Sequence, residues 1–231
     1  ENNNPKKKLF HFISKTMLFY SKNLYNFLLW MIYFFYSKLF QYKRKSLSNN
    51  QIFIQTYLSF QSLKNGDIED NYFREFYDHL ENRSENFTII ANISEPMANM
   101  AKRMKLLHSF KFKKNHIITE FDYLNIADIT KILIFILSFP WVTLAYKSNL
   151  KSHTYLDELF NYDYVNSISK ASFVTYVQFL FGKKLSKIIS TRKTKIISWN
   201  ENQLIHRNFL RGIKNKNITV YGCQYFLKYP S

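Results

Sequence analysis

The sequence is poor in the residues on which several large protein classes depend. Its 231 residues include four glycines, four prolines and a single cysteine, Cys223. One cysteine excludes an intramolecular disulfide and a cysteine-rich zinc site. With four glycines there is no G-x-G-x-x-G motif and no P-loop, and no H-x-x-x-H or H-E-x-x-H spacing occurs. We therefore predict neither a metal site nor a resident cofactor, and we find no support for a dehydrogenase or a kinase.

Acidic residues are also scarce, and the charge is unevenly distributed. Lysine and arginine number 33 against 16 acidic residues, which gives a net charge of +17. Residues 1–50 carry nine basic residues and one acidic residue, whereas residues 51–100 carry three and eight. A basic chain suggests nucleic acid, anionic lipid or a phosphorylated ligand as partner. Nucleic acid is the least favoured of these, because no dense basic helix or arginine-rich arm is present.

Aromatic residues are abundant, and the longest uncharged apolar run lies near the N-terminus. "LYNFLLWMIYFFY" (24–36) has no charge and lies between Lys22 and Lys38. A helix needs roughly 20 apolar residues to span a bilayer. Three interpretations stay open: a lysine-anchored helix in the membrane interface, a buried or partner-contacting helix, and a short transmembrane span. We take the interfacial helix as the prediction, with residues 1–46 forming a basic, aromatic helix and linker that suits an anionic membrane surface.

Beyond that linker, strand patterns alternate with helical ones. The predicted strands are 51–60, 86–93, 115–121, 193–199 and 217–226, and the predicted helices are 71–83, 94–112, 122–139, 150–190 and 201–215. Ser94 is the predicted cap of the helix at 94–112. Pro140 is predicted to end the helix at 122–139. The alternation is typical of an α/β fold with a Rossmann-like parallel sheet flanked by helices. We expect one such domain over residues 47–231, with a helical insert at about 140–190.

Ligands of parallel sheets collect at the carboxyl ends of the strands. We therefore expect chemistry just after Thr56, Ile93, Glu120, Trp199 and Tyr221.

The richest of these points is the stretch "SWNENQ" (198–203). Glu201 falls in the first turn of the predicted helix, where the helix dipole keeps a carboxylate ionised. Such a group could accept a proton from an attacking sugar hydroxyl, and Asn202 and Gln203 could hydrogen-bond a sugar ring. In the alternative interpretation, Asn200 caps the helix and Glu201 only satisfies its first amides.

Further polar residues lie near the same expected edge. Arg207 and Arg211 are four residues apart, so they share a helix face and could bind phosphate; the alternative is two solvated side chains. Gly222 is predicted to break its strand where the backbone approaches another group closely, and Gln224 beyond it interrupts an apolar run; the alternative is a turn with a half-buried glutamine. His206 is expected on the helix surface.

Two candidates lie at the ends of the first two strands. Glu95 follows Ser94 at a predicted helix start, which could bind an anion or could simply be a cap. Thr56 could line the same edge or pack in the core.

The order of these segments resembles that of bacterial surface-carbohydrate biosynthesis proteins of the O-antigen or capsule type, which have a glycosyltransferase GT-B architecture. The resemblance covers about residues 50 to 231 and rests on "TYLS", "ADITKILIFIL", a strand ending in W-x-E-N-Q, and V-x-G-x-Q-x-F. The residues that carry it most sharply are Trp199, Glu201, Asn202, Gln203, Gly222 and Gln224.

The resemblance implies a role in surface polysaccharide assembly. The chain would be the acceptor-side domain of a two-domain transferase, and the signatures of the donor-binding second domain are absent. It would then be a fragment, inactive alone, or belong to a family that has lost transfer. The implied substrates are a nucleotide-sugar donor and a glycan or lipid-linked glycan acceptor, handled on the cytoplasmic face of the plasma membrane. Glu201 would be the catalytic base, and Trp199 would join the substrate-binding residues.

Overall fold

The computed structural model describes residues 5–40, 47, 51–64, 67–70, 72–110, 116–148, 155–189, 193–199 and 204–223. The helices in this part of the chain are α1 (Pro5–Leu39), α2 (Arg74–Asn82), α3 (Met100–Ser109), α4 (Glu120–Tyr123), α5 (Ile126–Ser148), α6 (Tyr155–Lys170), α7 (Phe173–Ile189) and α8 (Leu204–Gly212). The strands are β1 (Ile52–Leu58), β2 (Leu63–Lys64), β3 (Asp67–Ile68), β4 (Phe87–Ile93), β5 (His116–Ile118), β6 (Thr194–Trp199) and β7 (Ile218–Cys223).

Five of these strands form one parallel sheet in the order β5-β4-β1-β6-β7. Within the sheet, β1 is the first strand along the chain and lies at the centre; β4 and β5 follow on one side of it, and β6 and β7 follow on the other side. This is a doubly wound, Rossmann-like arrangement, and the strand order reverses between β1 and β6. The predicted α/β class, with a parallel sheet flanked by helices, is therefore confirmed. β2 and β3 form a separate antiparallel pair.

Helices pack on both faces of the sheet, because most strand residues that alternate toward each face are apolar. On one face, Phe53 and Ile196 are buried in a cluster with Phe181 of α7 and Phe209 of α8. On the other face, the ring of Phe87 in β4 stacks on that of Tyr77 in α2, with the centroids 5.3 Å apart.

Helices α7 and α8 cross at two glycines. A Cβ atom on Gly182 would collide with the backbone carbonyl of Phe209, and one on Gly212 would collide with that of Phe179. Any side chain larger than hydrogen would force the two helices apart. This close approach positions α8, which begins five residues after the last residue of β6.

The chain divides into two compact units. The helical unit comprises residues 1–28 and 126–176, and the sheet unit comprises residues 29–125 and 177–231. The boundaries fall inside α1 and inside α7. The structure thus groups residues 126–176 with the first part of α1, and the predicted 1–46 and 47–231 domain division stays a prediction.

The core of the helical unit is built on aromatic contacts between antiparallel α1 and α5. The rings of Phe19 and Phe139 stack 5.3 Å apart, and the Tyr20 hydroxyl donates to the Leu137 carbonyl at 2.8 Å. Asn23 is buried, and its side-chain oxygen accepts the Phe173 amide at 2.9 Å. Its amide nitrogen donates to the Ala171 carbonyl, so one side chain links α1 to the junction of α6 and α7.

The N-terminal apolar run lies within the 35-residue helix α1, which buries one face along its length. The buried residues are Phe12, Phe19 and Phe27 in the helical unit and Trp30, Tyr33 and Phe34 in the sheet unit. Large apolar residues also cover the opposite face, where they are exposed. Of the three interpretations of this run, the contacts support a partly buried helix, and they leave its exposed face without a described partner.

Three predictions about local structure are wrong. Pro140 lies inside α5 and does not end it, because packing within the helical unit outweighs the loss of one backbone hydrogen bond. Ser94 caps no helix: α3 begins at Met100, and the Ser94 amide donates to the Leu58 carbonyl instead. Gly222 does not break its strand but pairs with Ser198 inside β7.

Candidate functional site

Several of the predicted site residues lie outside the described residues. These are Glu201, Asn202, Gln203 and Gln224. Trp199 is the last residue of β6, paired with Cys223 of β7 at the carboxyl edge of the sheet, and its side chain is not described. The segment that carries the predicted base therefore follows directly on the strand beside the reversal point.

The described candidates occupy different environments. Arg207 and Arg211 are both exposed on α8, where the helical period places them on one side, as predicted. Thr56 is fully buried inside β1, two residues before the strand ends, and its hydroxyl makes no hydrogen bond with any described residue.

Glu95 ties two strand ends together. Its carboxylate accepts the backbone amide of Phe60, just after β1, at 2.9 Å. The ring of Phe60 in turn lies under Lys105 and Lys102, whose ammonium nitrogens are 5.4 and 5.9 Å from its centroid. Glu95 thus holds the β1 and β4 turns in register, and the two lysines make the nearby surface cationic.

A buried polar cluster lies at the reversal point, on the sheet face covered by α7 and α8. Gln55 of β1 and Ser198 of β6 are both 0% exposed, and the Ser198 hydroxyl donates to the Gln55 side-chain oxygen at 2.7 Å. Register places Tyr57 beside Asn92 of β4 on the same face. Neither side-chain polar atom of Asn92, nor the Gln55 amide nitrogen, has a hydrogen-bond partner among the described residues.

The two helices that cover this face also carry buried polar groups. His206 of α8 is 0% exposed, and its ring lies 4.5 Å from that of Tyr57, so its predicted surface position is wrong. Gln178 lies on the same stripe of α7 as Phe181 and is almost fully buried; no described residue bonds its side-chain oxygen. Buried polar atoms normally find partners, so amides with unused bonding capacity mark this position as a candidate ligand site.

The sequence holds a weak signal for this cluster. Gln55 and Asn92 are amides inside mostly apolar strands; Gln55 is the middle residue of β1 and Asn92 is the last but one of β4. A polar residue at a buried strand position departs from the pattern of a doubly covered parallel sheet. Spacing alone does not show that Asn92 and His206 lie in one neighbourhood, since 114 residues separate them.

A second buried polar group lies at the ends of β4 and β5. Glu120 follows β5, is 5% exposed, and has its pKa raised chiefly by burial. Its own backbone amide and the guanidinium of Arg103 act in the opposite direction. Burial also lowers the pKa of Arg103, whose guanidinium lies 5.0 Å from the Tyr33 ring centroid of α1.

The second half of α1 covers this end of the sheet. The Lys38 ammonium donates to the Phe121 carbonyl at 2.6 Å, and the rings of Trp30 and Phe121 are 5.5 Å apart. The Tyr33 hydroxyl donates to the carbonyl of Met97. Glu120 is therefore enclosed by protein, whereas the end of β6 leads into the segment that carries Glu201.

A groove of about 630 Å³ lies at the opposite, amino edge of the sheet. Three lysines line it together with Glu85 and several amides: Lys193, Lys195 and Lys216. The carboxyl end of α7 lies close by, since the Thr194 hydroxyl donates to the Ile189 carbonyl at 3.3 Å. Lysines at this edge offset the negative end of a helix dipole, which accounts for them without a ligand.

Comparison of the chain with protein-family models, curated proteins and solved structures gives no match. Within the described residues no group of three or more His, Cys, Asp or Glu side chains is arranged to hold a metal ion. Function therefore has to be argued from the doubly wound sheet and the polar cluster at its reversal point.

Proposed function

We propose that the chain is a glycosyltransferase-like domain of GT-B type, the acceptor side of an enzyme that transfers a sugar from a nucleotide-sugar to a membrane-linked glycan in bacterial surface polysaccharide (O-antigen or capsule) biosynthesis. Glu201 is its proposed catalytic base, and the protein acts as a peripheral protein on the cytoplasmic face of the plasma membrane. The observation that carries the proposal is the buried amide cluster at the reversal point of the sheet.

The chemistry of that cluster suits a carbohydrate. Sugars offer many hydroxyls that both donate and accept hydrogen bonds, and side-chain amides do the same in a fixed plane. The side chains of Asn92 and Gln178 have free capacity toward the described part of the chain. Tyr57, which is paired with Asn92, and His206, which lies against Tyr57, supply flat ring surfaces. Leaving such amides unpaired in an apolar protein destabilises it, so we infer that ligand binding maintains them.

The direct test concerns Glu201. In the full-length enzyme of which this chain is the proposed acceptor side, transfer of a radiolabelled sugar from nucleotide-sugars to a lipid-extractable acceptor should fall at least about a hundredfold in Glu201→Gln, because a general base contributes about 10² to 10⁴ in rate. Glu85→Gln is the matched control, since Glu85 is exposed and precedes β4 at the amino edge of the sheet. Equal transfer by both variants would remove Glu201 from the mechanism.

The polar cluster has its own test. Asn92→Leu keeps the number and branching of the side-chain heavy atoms and removes two buried polar atoms that no described residue bonds. If the Asn92 amide has no role in binding, the substitution should leave the melting temperature unchanged or raise it, and KM should not change. If it binds sugar, KM for the acceptor rises while the melting temperature holds or increases. A variant that melts earlier and keeps its KM would contradict the assignment.

A second function has one observation in its favour. Exposed apolar residues on α1 and α5 suit a non-catalytic assembly protein that works on the membrane surface of the same pathway. One described helical segment, Ile126–Ala145, is also long and apolar enough to cross a bilayer, and 28% of that segment is buried. Vesicle binding without any binding of nucleotide-sugar or glycan would favour this function over transfer.

A further inference from the structure

Two apolar stripes lie on the outside of the helical unit. The α1 stripe consists of Phe10, Ile13, Met17, Leu24 and Leu28, and the α5 stripe consists of Ile134, Leu137 and Trp141. Their spacing of three, four and seven residues places each set on one side of its helix. Each side chain is at least 36% exposed, and Phe10 reaches 75%.

Both stripes lie opposite a face that is already packed. On α1, Phe12, Phe19 and Asn23 are buried, and on α5, Ile132 and Ile136 are buried. The stripes are therefore not the core side of these helices, although one edge of the exposed Trp141 ring also contacts the buried Phe12 ring, with the centroids 6.0 Å apart. Exposed apolar stripes of this kind on a folded domain mark binding surfaces.

The surrounding charge favours one kind of partner. Residues 2–40 contain six lysines and no acidic residue, and Lys7, Lys8 and Lys22 are exposed on α1. On α5, the buried Asp128 is paired with Lys131 at 3.1 Å, and no charged residue lies between Lys131 and Lys147. Two copies of this chain would bring lysine-flanked surfaces together, whereas anionic lipid headgroups would neutralise them.

We propose that the α1 and α5 stripes form the surface by which the helical unit lies in the headgroup region of an anionic bilayer, with the helices parallel to the membrane plane. Lysines flanking the α1 stripe reach the lipid phosphates while Met17, Leu28 and Leu137 enter the acyl boundary. Trp141 has the amphipathic ring that favours this depth. This membrane-binding surface adds detail to the proposed function, and it depends on that proposal only in taking a membrane as the partner.

The test is flotation of the full chain with vesicles of phosphatidylcholine, with and without about a quarter of phosphatidylglycerol. We expect binding to the anionic vesicles, and a loss of at least about tenfold in partition coefficient for Phe10→Glu/Met17→Glu and for Leu137→Glu/Trp141→Glu. The matched control is Leu204→Glu/Tyr221→Glu, because both residues are exposed on the sheet unit. Equal losses in control and stripe variants would overturn the proposal.

Charge is tested separately. Lys7→Gln/Lys15→Gln/Lys22→Gln should weaken anionic binding more than Lys183→Gln/Lys214→Gln/Lys216→Gln, which removes the same charge from the sheet unit. The difference should shrink between about 0.1 M and 0.5 M salt because of screening. Equal effects of the two triple variants would mean that net charge alone attracts the lipid, and the assigned surface would be wrong.

Three other outcomes would overturn the proposed surface. These are a stable dimer in lipid-free solution that either stripe variant dissociates, capture of an acidic protein without vesicle binding, and resistance to alkaline carbonate extraction, which would indicate that α5 spans the bilayer. Measuring sugar transfer to a water-soluble glycan acceptor distinguishes failure of the membrane-binding proposal from failure of the enzymatic proposal. If the stripe variants keep that transfer, the substitutions affect only membrane docking. If the original chain binds vesicles and no transfer is detected, the membrane-binding surface is supported and the enzymatic proposal is contradicted.

Discussion

The two units of the chain handle apolar residues in opposite ways. In the sheet unit, α8 presents exposed arginines outward and buries His206 and Phe209 against the sheet face. In the helical unit, α1 and α5 are apolar on both the buried and the exposed side. A helix with one polar face has its apolar face covered once it packs on the sheet. A helix with apolar residues on both its buried and its exposed side needs a second partner, such as another protein or a membrane, to cover the exposed side.

This difference locates two separate functions. The sheet unit concentrates its unusual chemistry inside, as buried amides at the reversal point of the strands. The helical unit has its unusual feature outside, as the α1 and α5 stripes. Substitutions should therefore separate fold, ligand binding and membrane binding, and the four below are ordered from the largest expected effect to the smallest.

The largest effect should come from the crossing of α7 and α8. Gly182→Ala places a Cβ atom against the Phe209 carbonyl, and backbone cannot give way as a flexible side chain would. We expect a loss of unfolding free energy of about 3 kcal/mol or more. Lys183→Ala, at the next and exposed position of α7, should change it by less than about 0.5 kcal/mol. Urea unfolding measures both, and a neutral Gly182→Ala would mean that the helices are not in such close contact.

Alternation of strand and helix patterns is enough to predict the parallel sheet, because each covered strand needs a β-branched or aromatic run of about six residues. Boundaries that depend on tertiary contacts could not be predicted. Ser94 has the chemistry of a helix cap, yet it bonds the end of β1, and Pro140 continues a helix that its neighbours hold in place.

The candidate site was only partly predictable for the same reason. Strand order decides which polar residues meet, and sequence spacing does not contain strand order. His206 looks like a surface residue beside two arginines, but the α7–α8 crossing turns it inward against Tyr57. The carboxyl end of β6, in contrast, follows from the general rule for parallel sheets.

The second largest effect on stability should come from the buried face of α1, and substitution on its exposed face provides the comparison. Phe19→Ala removes a fully buried ring that stacks on Phe139, and we expect a loss of about 3 kcal/mol. Phe10→Ala removes the same ring from the exposed stripe, so the unfolding free energy should change by less than about 0.5 kcal/mol. Calorimetry without lipid decides this. If Phe10→Ala destabilises as strongly as Phe19→Ala, the α1 stripe is part of the fold.

Polar contacts inside the helical unit should have an intermediate effect. Asn23→Ala leaves the Phe173 amide without its acceptor at the start of α7, and we expect a loss of about 2 kcal/mol. Asn208→Ala is the matched control, because Asn208 also bonds the carbonyl four residues earlier but does so on the exposed side of α8. Chemical denaturation that reports equal losses would show that Asn23 contributes no more than a local helix contact.

We expect the smallest effect from Glu120, whose burial should make the stability depend on pH. This prediction contrasts a buried titratable group with the exposed residues of the stripes. Burial raises its pKa in the folded state above the usual 4.5, so between the two values the folded state holds more protons than the unfolded state. Stability contributed by the protonated group is thus complete at low pH and is lost as the pH rises above 4.5. Glu120→Gln lacks this titration, so its stability relative to that of the original chain should rise as the pH increases from 4 to 8. Glu81→Gln, at an exposed position of α2, is the control variant and is measured at the same pH values. A flat difference between Glu120→Gln and the original chain across that range would mean that Arg103 compensates the burial of the carboxylate fully, and that the end of β5 holds an ordinary ion pair.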